Sequence, residues 1–229
     1  MKTCLLLPAY NEAKTVATII GEVRQFIPNI VVIDDGSTDQ TAARAIEVAR
    51  ICKSTVTVLR HCWNQGKGMA LRTGFDYALS NRFELIATMD TDGQHQPKEL
   101  PRLLNHFHCY APDILIGGRI SSDQRSSMPL HRQLNNWLVS AVGSSLCGQR
   151  VPDFQSGFRL IRSTVLQAVQ LETSRYETES ELLIKAGRLG FRIETLSIAT
   201  IYGSETSDIQ TGREMWLFTK LLIKSLQNI

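Results

Sequence analysis

The chain alternates short apolar runs with longer segments that have the spacing of amphipathic helices. The apolar runs cover residues 3–7, 30–33, 55–59, 85–89 and 114–116. Each run is apolar on both faces of a strand, which is typical of a sheet buried between two layers of helices. The intervening segments predict helices at about 11–27, 38–52, 67–81 and 97–108. Strand–helix alternation of this kind favours an α/β fold with a mostly parallel sheet.

The regular alternation ends after residue 118. Beyond it we expect a polar loop at 121–129, a helix near 131–147, a strand near 157–162, a helix near 176–189, a strand near 191–201 and a terminal helix over 213–229. Neither a repeat nor a linker divides the chain, and 229 residues suffice for one large domain. The sequence therefore predicts one domain over residues 1–212, followed by an amphipathic helix over 213–229. The spacing of Ser37 and Gln40 matches a capping box and predicts the start of the second helix.

The composition is that of an ordinary globular protein, with 43% hydrophobic and 21% charged residues. Nucleic-acid binding usually requires a dense basic stripe, and a net charge of +3 does not indicate one, so no nucleic acid is expected as a partner. The five cysteines are scattered without a C-x-x-C pair, as in reduced cytosolic proteins. We see neither a signal peptide nor a run of about 18 apolar residues, and we therefore expect a cytoplasmic protein.

Polar clusters follow four of the predicted strands at the point where each strand ends. The clusters are Pro8–Glu12, Asp34–Ser37, Asp90–His95 and Gly117–Arg119. Ligands of parallel α/β sheets bind beyond the carboxyl ends of the strands. Turn formation explains any single cluster equally well, because Asp, Asn, Gly and Ser all favour turns. Four clusters at one edge favour a binding site.

Asp90 and Asp92 follow the fourth strand and are separated by one residue. Residues 66–68 lack the rest of a phosphate-loop pattern, no G-x-G-x-x-G follows the first strand, and His95 stands where a calcium loop requires glycine. Two carboxylates at a strand end suit a divalent cation that fills its other positions with water and phosphate oxygens. The alternative is an Asx turn with two solvated carboxylates. The cation hypothesis requires both carboxylates to face space that admits an ion.

Together these motifs resemble those of inverting glycosyltransferases of family 2 with the GT-A fold, and more closely the dolichol-phosphate mannose synthase group. Residues 8–12 and 34–39 are similar to the nucleotide-binding segments of that family, Asn64–Gly68 to its N-x-G-K-G helix start, and Asp90–Asp92 to its D-x-D. Farther on, the similarity covers Gly118–Arg119, Met128–Pro129 with Arg132 and Asn135, Asp153–Arg159 and Ile201–Gly203. The resemblance implies a GT-A, Rossmann-like sheet flanked by helices, with a C-terminal helix that packs on the domain or lies at an interface.

The resemblance also implies roles for individual residues. The implied nucleotide-sugar site comprises Pro8, Ala9, Tyr10, Glu12, Ile33, Asp35, Asp90, Thr91, Asp92, Gln94 and Arg119. The implied ligands of Mg²⁺ or Mn²⁺ are Asp90, Asp92 and Gln94. The implied catalytic residues are Asp92, Arg119 and Arg132, of which the two arginines would bind the acceptor phosphate through their planar guanidinium groups. For Glu179 and Glu181, the sequence leaves open whether they face the pocket or solvent.

The activity implied by the resemblance is metal-dependent, inverting transfer of a hexose to a polyprenyl phosphate (dolichyl or undecaprenyl). A lipid phosphate is already an anionic nucleophile at pH 7, so such a site mainly positions the reactants and neutralises the leaving group. The donor stays open between GDP-mannose and a UDP-hexose, because residues 200–206 lack the cations that eukaryotic members carry beside the late Tyr-Gly. Two alternatives remain: a family 2 enzyme with a hydroxyl acceptor, in polysaccharide or glycolipid synthesis, and a non-catalytic nucleotide-binding protein.

The terminal segment 213–229 is rich in apolar and aromatic residues, and Lys220 and Lys224 lie four positions apart in it. A helix of this kind suits the membrane interface. A lipid acceptor also implies some approach to a membrane, so we expect peripheral contact at the cytoplasmic face. Packing of the helix on its own domain explains the pattern equally well.

Overall fold

The computed structural model describes residues 1–51, 55–119 and 130–199, apart from the side chains of 130–132, 134 and 135. The strands in this part of the chain are β1 (Thr3–Ala9), β2 (Asn29–Asp34), β3 (Thr55–Arg60), β4 (Leu85–Thr88), β5 (Ile114–Gly118), β6 (Arg159–Arg162) and β7 (Ile193–Ser197). The helices are α1 (Val16–Val23), α2 (Thr41–Ile51), α3 (Lys67–Ser80), α4 (Leu100–Tyr110), α5 (Leu130–Cys147), α6 (Ser163–Ala168) and α7 (Glu177–Arg188). A short 3₁₀ turn, Pro97–Glu99, precedes α4.

The strands form one sheet in the order β3-β2-β1-β4-β6-β5-β7. All neighbouring strands are parallel except at β6, which is antiparallel to both β4 and β5. Thr88 of β4 and Ile116 of β5 both pair with Arg159, the first residue of β6. The segment that precedes β6 therefore arrives at the edge where the other strands end. The prediction of a mostly parallel α/β sheet is confirmed, whereas the reversed β6 is a feature that the sequence pattern does not predict.

Alternate residues of β1 belong to two different hydrophobic clusters, because successive side chains of a strand point to opposite faces. Leu6 shares one cluster with residues of α3, α5, α6 and α7. Leu5 and Leu7 share the other with residues of α1, α2 and α4. The sheet thus lies between two helical layers, as the doubly apolar strands predict. The exception is β3, which is only partly buried because it lies at the edge of the sheet.

Several element boundaries differ from the predicted ones. Helix α1 is much shorter than the predicted 11–27, and Asn11 before it has a positive φ of 57°. Helix α2 begins at Thr41, and the capping-box prediction is wrong: Asp39 Oδ1 accepts the Thr41 N–H at 2.9 Å, whereas Ser37 Oγ accepts the Asn11 N–H at 2.9 Å. Helix α6 is an addition to the predicted elements. The predicted loop 121–129 and the predicted terminal helix 213–229 lie outside the described residues.

The described residues hold no helix that is both long enough and apolar enough to cross a membrane. Four of the cysteines, Cys4, Cys62, Cys109 and Cys147, are free thiols, as the scattered spacing predicts. The fifth, Cys52, lies outside the described residues.

We expect Leu6→Ala to lower the free energy of unfolding by about 2–5 kcal/mol, because it leaves a cavity at a fully buried position in the centre of the sheet. Ile51→Ala, at a residue that is 74% exposed, is the control and should change the free energy of unfolding by no more than about 0.5 kcal/mol. Urea unfolding of both variants measures the difference. Equal effects would contradict the assignment of β1 to the middle of the core.

Candidate active site

The loops that follow β1, β2 and β4 are joined to one another by hydrogen bonds. The Asp35 N–H donates to the Ala9 carbonyl at 2.8 Å, and Thr91 Oγ1 donates to the Pro8 carbonyl at 2.8 Å. The side chain of Asn11 continues the contact, since its Oδ1 accepts the Thr38 N–H at 2.9 Å. Polar clusters that are far apart in the sequence therefore meet at the carboxyl edge of the sheet, as predicted.

Asp35 is buried, and both of its carboxylate oxygens are already bonded within the protein. Oδ1 accepts the Gln65 N–H at 3.0 Å and lies 2.7 Å from His61 Nδ1, and Oδ2 accepts the Gly66 N–H at 2.8 Å. The other ring nitrogen of His61 contacts Thr73 Oγ1 at 2.9 Å. Asp35 thus anchors the loop that leads into α3. Its predicted bond to the nucleotide base stays a prediction, and a base would share oxygens that the loop already uses.

The other residues of the predicted nucleotide site differ in what they present at this edge. Pro8 and Ala9 are buried at the end of β1, and Thr91 is buried on top of them. The Ile33 side chain packs in the core, so only its backbone is near the edge. Tyr10 is 42% exposed. Glu12 is half-buried, and its carboxylate accepts the Thr15 hydroxyl at 2.7 Å.

Asp90 is in contact with Lys67, a residue for which the sequence predicts no individual role. Lys67 is the first residue of α3, and its Nζ lies 2.6 Å from Asp90 Oδ1 and 2.9 Å from Glu179 Oε2. Burial alone favours the neutral amine, but the two carboxylates outweigh it and raise the pKa of Lys67 above its ordinary value. The N-x-G-K-G motif was the available signal for Lys67. Glu179, from the distant helix α7, could be assigned to the site only from the structure.

The surroundings of Asp90 and Asp92 shift the pKa values of the two carboxyl groups in opposite directions. Burial favours the protonated form of Asp90, but Lys67, His95 and Arg159 outweigh it and lower its pKa. Burial and the neighbouring Asp90 instead raise the pKa of Asp92, although its Oδ1 accepts the Gln94 N–H at 2.9 Å. A divalent cation would stabilise the ionised form of Asp92 beside the Asp90 carboxylate, so this arrangement fits a bound cation.

A buried nitrogen without a partner supports the same interpretation. His95 Nδ1 is buried, has no hydrogen bond, and lies 4.0 Å from Asp90 Oδ2. Burial lowers the pKa of His95, so the ring is neutral at pH 7 and Nδ1 is able to accept or to coordinate. The ring packs against Phe158 in a tilted arrangement, with ring centroids 5.3 Å apart and an angle of 46° between the ring planes. Lys67 occupies Oδ1 of Asp90, and the orphaned nitrogen lies beside Oδ2, so the residues present fit a divalent cation on the Oδ2 side.

In the described ranges no cluster of three or more His, Cys, Asp or Glu side chains has the arrangement of a metal site. A cation here would have the two carboxylates as its main protein ligands and would fill its other positions with water and phosphate oxygens, as Mg²⁺ commonly does. Gln94 follows directly, half-buried, with its backbone bonded to Asp92. Its predicted role as a metal ligand stays a prediction.

Gly157 is packed directly against the Asp90 carboxylate. A Cβ atom at Gly157 would lie 2.6 Å from both carboxylate oxygens. The Gly157 carbonyl also accepts the Thr88 hydroxyl at 2.8 Å, which holds the segment before β6 against β4. Glycine at this position therefore lets the backbone approach the carboxylate and fixes one side of the candidate cation site.

Arg119 lies at the carboxyl end of β5 in a two-pronged ion pair with Asp153. Its Nε donates to Asp153 Oδ2 at 2.8 Å and its Nη2 donates to Oδ1 at 3.0 Å, and the Arg119 backbone N–H also donates to Oδ2. Asp153 is fully buried, and Arg119 outweighs the burial and lowers the pKa of Asp153. Arg119 is thus held at the predicted edge, but its predicted bond to an acceptor phosphate would be made by a guanidinium that already binds a carboxylate. The side chain of Arg132, the second predicted phosphate ligand, lies outside the described residues.

Arg159 and Glu181 have structural roles. The guanidinium of Arg159 is fully buried and donates to the carbonyls of Ser156, Phe154 and Glu179 at 2.8–3.0 Å. Glu181 accepts the N–H groups of Glu172 and Thr173 and pairs with Lys185 at 2.7 Å. Of the two glutamates that the sequence left open, Glu179 belongs to the site and Glu181 fixes the loop before α7.

The model of the family described as "Glycosyl transferase family 2" matches residues 4–170. The chain belongs to glycosyl transferase family 2. This confirms the resemblance drawn from the motifs and identifies the protein as a glycosyltransferase. The matched range contains β1 to β6, and with them Asp90, Asp92 and Arg119.

Relatives of this family 2 chain have names that contain different sugars. The undecaprenyl-phosphate mannosyltransferase of Micrococcus luteus is 29% identical over 211 residues, which are 88% of this chain and 84% of the relative. The UDP-N-acetylglucosamine–dolichyl-phosphate N-acetylglucosaminyltransferase of Methanococcus voltae is 31% identical over 213 residues, 86% of this chain and 85% of the relative. Both names contain a polyprenyl-type phosphate, and they differ in the sugar.

A solved structure confirms the fold. Glucosyl-3-phosphoglycerate synthase of Mycobacterium tuberculosis, in complex with Mn²⁺, UDP and phosphoglyceric acid, matches with a TM-score of 0.70 and 20% identity. The match covers 99% of this chain and 78% of that one. At this identity the likeness shows the GT-A type of fold alone.

We expect Asp153→Asn to lower the free energy of unfolding at pH 7 by about 3 kcal/mol, because it leaves the partly buried Arg119 without its counter-ion. The folded-state pKa of Asp153 is lowered, so its contribution is fully present above the unfolded pKa of about 4 and is lost as the pH falls through the lower folded value. Urea unfolding of the variant should accordingly be less sensitive to acid below about pH 4 than unfolding of the wild type.

Asp113→Asn is the matched control, because Asp113 Oδ1 faces Arg162 Nε at a looser 3.8 Å and its side chain is 31% exposed. Its effect should not exceed about 1 kcal/mol. A control effect as large as that of Asp153→Asn would contradict a special role of the buried pair.

Proposed function

We propose that the protein transfers a hexose from a nucleotide sugar to a polyprenyl phosphate, with inversion at the anomeric carbon and with Mg²⁺ or Mn²⁺ as cofactor. The observation that carries the proposal is the pair Asp90 and Asp92 at the carboxyl edge, with the orphaned His95 Nδ1 beside it. The names of the M. luteus and M. voltae relatives support a polyprenyl-type acceptor. The presence of Mn²⁺ and UDP in the M. tuberculosis structure supports a divalent metal and a nucleotide as ligands of this fold.

In this proposal the residues around Asp90 bind and neutralise the donor's diphosphate. Asp90 Oδ2 and Asp92, with Gln94, would hold the divalent cation, and the cation would supply the positive charge that a departing diphosphate needs. Tyr10, Glu12 and the backbone at Ile33 and Asp35 would line the base and ribose site, with Pro8, Ala9 and Thr91 forming its buried floor. Donors with mannose or a UDP-linked sugar are both compatible with this arrangement.

The acceptor in this proposal needs orientation more than activation. A lipid phosphate is anionic at neutral pH and attacks without a general base, so the protein's task is to hold two phosphate-bearing groups close together. Arg119, directed by Asp153, and Arg132 would bind the acceptor phosphate. A hydroxyl acceptor is the competing hypothesis, and it would need a carboxylate base close to the anomeric carbon.

Thermal unfolding with candidate donors tests the donor half of the proposal. GDP-mannose, UDP-glucose and UDP-N-acetylglucosamine are compared, each with and without Mn²⁺. A ligand that binds the folded state raises the melting temperature by mass action, so we expect a Mn²⁺-dependent rise with one of the three. No rise with any donor would contradict the proposal. With the stabilising donor, transfer to undecaprenyl phosphate but not to a glycolipid hydroxyl is the expected result, and the reverse would establish the competing hypothesis.

We expect Asp92→Asn to lower the kcat of transfer by about 10²–10³-fold, because it removes a charge that holds the cation against the leaving group. Asp76→Asn is the control, because Asp76 lies at an exposed position of helix α3, and it should leave kcat unchanged. Radiolabelled sugar transfer measures both variants. An active Asp92→Asn enzyme would show that the cation is not held by this carboxylate.

The segment 213–229 is proposed to lie on the membrane surface, where a polyprenyl phosphate is found. Sedimentation with anionic liposomes of the full chain and of a chain ending at residue 212 tests this. Loss of binding in a shortened chain that still unfolds cooperatively is the expected result. A shortened chain that fails to fold would instead show that the segment packs on the domain.

A further inference from the structure

A divalent cation at the candidate site would compete with Lys67 for the carboxylate of Asp90. The Nζ atom of Lys67 contacts Asp90 Oδ1 at 2.6 Å and Glu179 Oε2 at 2.9 Å, and its side chain is only 17% exposed. The Glu179 side chain is 8% exposed and the Asp90 side chain is 23% exposed, so both carboxylates are largely, but not completely, shielded from solvent. The ammonium and a divalent cation on Asp90 would thus be neighbours with like charge in a site that screens them weakly.

Hydrogen bonds and close packing hold the backbone around Lys67 in place, so the fold determines the position of its ammonium. The Gly66 N–H is bound by Asp35, and the Met69 N–H donates to the Ser174 carbonyl at 2.9 Å. Gly68 packs so closely on the first turn of α7 and the residues before it that a Cβ would lie 2.0 Å from Thr178 Oγ1 and 2.5 Å from the Arg175 carbonyl oxygen. The ion pairs of Lys67 are made by its ammonium, at the end of a flexible four-carbon side chain, and the ammonium also lies 5.9 Å from the centroid of the Tyr176 ring. A change of side-chain rotamer would therefore release Asp90 while the backbone of the helix stays in place.

We infer that Lys67 is a built-in competitor for the cation site: it occupies Asp90 in the empty enzyme and is released to the donor's diphosphate when metal and nucleotide bind together. This inference rests on the proposed function. The metal alone must bind beside the ammonium, and the nucleotide alone must draw the ammonium away from two carboxylates. When both bind, the diphosphate takes up the ammonium that would repel the metal, and the metal replaces the ammonium at the Asp90 carboxylate. Each ligand therefore lowers the free-energy cost of binding the other. Coupling of this kind is reciprocal, so the nucleotide raises the affinity for the metal by the same factor as the metal raises the affinity for the nucleotide.

The inference gives Lys67 a direct contact with the donor, and it predicts opposite effects on two measurable affinities. Without the ammonium, Mn²⁺ alone should bind more tightly, because a repelling charge beside Asp90 is gone. The nucleoside diphosphate should bind more weakly, because it has lost a cation. If Lys67 had only a structural role, its removal would weaken the binding of both Mn²⁺ and the nucleoside diphosphate.

The test measures Mn²⁺ binding by electron paramagnetic resonance, in the absence and presence of UDP and of GDP. For Lys67→Met we expect Mn²⁺ alone to bind about tenfold more tightly than in the wild type. The factor by which the better-binding nucleotide raises the Mn²⁺ affinity should fall by at least about fivefold. Lys67→Arg keeps the charge and should resemble the wild type. Lys67→Gln repeats the measurement with a smaller, polar side chain in case the methionine variant does not fold.

Lys185→Met is the matched control, because Lys185 also bridges two glutamates, Glu172 at 3.0 Å and Glu181 at 2.7 Å, away from the site. It should leave both Mn²⁺ affinities unchanged. In the wild-type protein, ¹H–¹⁵N spectra of the lysine ammonium groups give an independent reading. The signal that is missing in Lys67→Arg should move when Mg²⁺ and nucleotide are added together.

The possible failures are distinguishable. If the wild type binds Mn²⁺ more tightly with a nucleotide, but the neutral Lys67 variants bind Mn²⁺ alone no better, the inference is overturned and the proposed function stands. An ammonium signal that does not move on adding both ligands also overturns it. If the wild type binds no Mn²⁺ with either nucleotide, the proposed function fails and the inference fails with it.

Discussion

Negative charge concentrated at one end of β4 is the constraint around which this site is built. Asp90 and Asp92 come from the end of that strand, and Glu179 comes from α7 on the far side of Lys67. Carboxylates at such short range repel one another unless cations separate them. Lys67 separates Asp90 from Glu179, whereas Asp92 keeps a raised pKa. The ammonium of Lys67 thus neutralises part of the charge. The pKa of Asp92 is raised first by burial and then by Asp90, and a divalent cation there would stabilise its ionised form.

The reversed strand β6 lets one segment serve both halves of the site. Because β6 is antiparallel to its neighbours, residues 153–158 arrive at the edge where β4 and β5 end. At one end of the segment Asp153 fixes Arg119, and at the other Gly157 lies against the Asp90 carboxylate. Buried Arg159 donates to two carbonyls of this segment, Phe154 and Ser156, and to the Glu179 carbonyl of α7. The segment therefore contacts both the Asp90 carboxylate and Arg119.

The sequence predicts the parts of this structure that depend on local pattern. Doubly apolar strands, helix spacing and the D-x-D motif are local signals, and they correctly predict a sheet between two helical layers and the edge where the loops meet. Long-range pairings have no local signal. The antiparallel direction of β6, the meeting of Lys67 with Glu179 across more than a hundred positions, and the enclosure of Asp35 by the Gln65 and Gly66 N–H groups all depend on tertiary packing. The start of α2 was misplaced for a related reason, since Ser37, the predicted cap, bonds to Asn11 in another loop.

Charged groups at this edge are paired inside the protein before any substrate arrives. Lys67 is held by two carboxylates and Arg119 by Asp153. Under the proposed function, a metal, a diphosphate and a lipid phosphate would exchange partners with these pairs, so most of the desolvation of the charged side chains is already complete in the folded chain. Pairing also fixes the direction of each group, which favours fast reaction of two bound phosphate-bearing substrates over tight binding of either one. Under the proposed function, such a site would discriminate by geometry at the diphosphate and the acceptor phosphate. It would leave the choice of sugar to residues outside the charged cluster, consistent with relatives whose names share a polyprenyl-type phosphate and differ in the sugar.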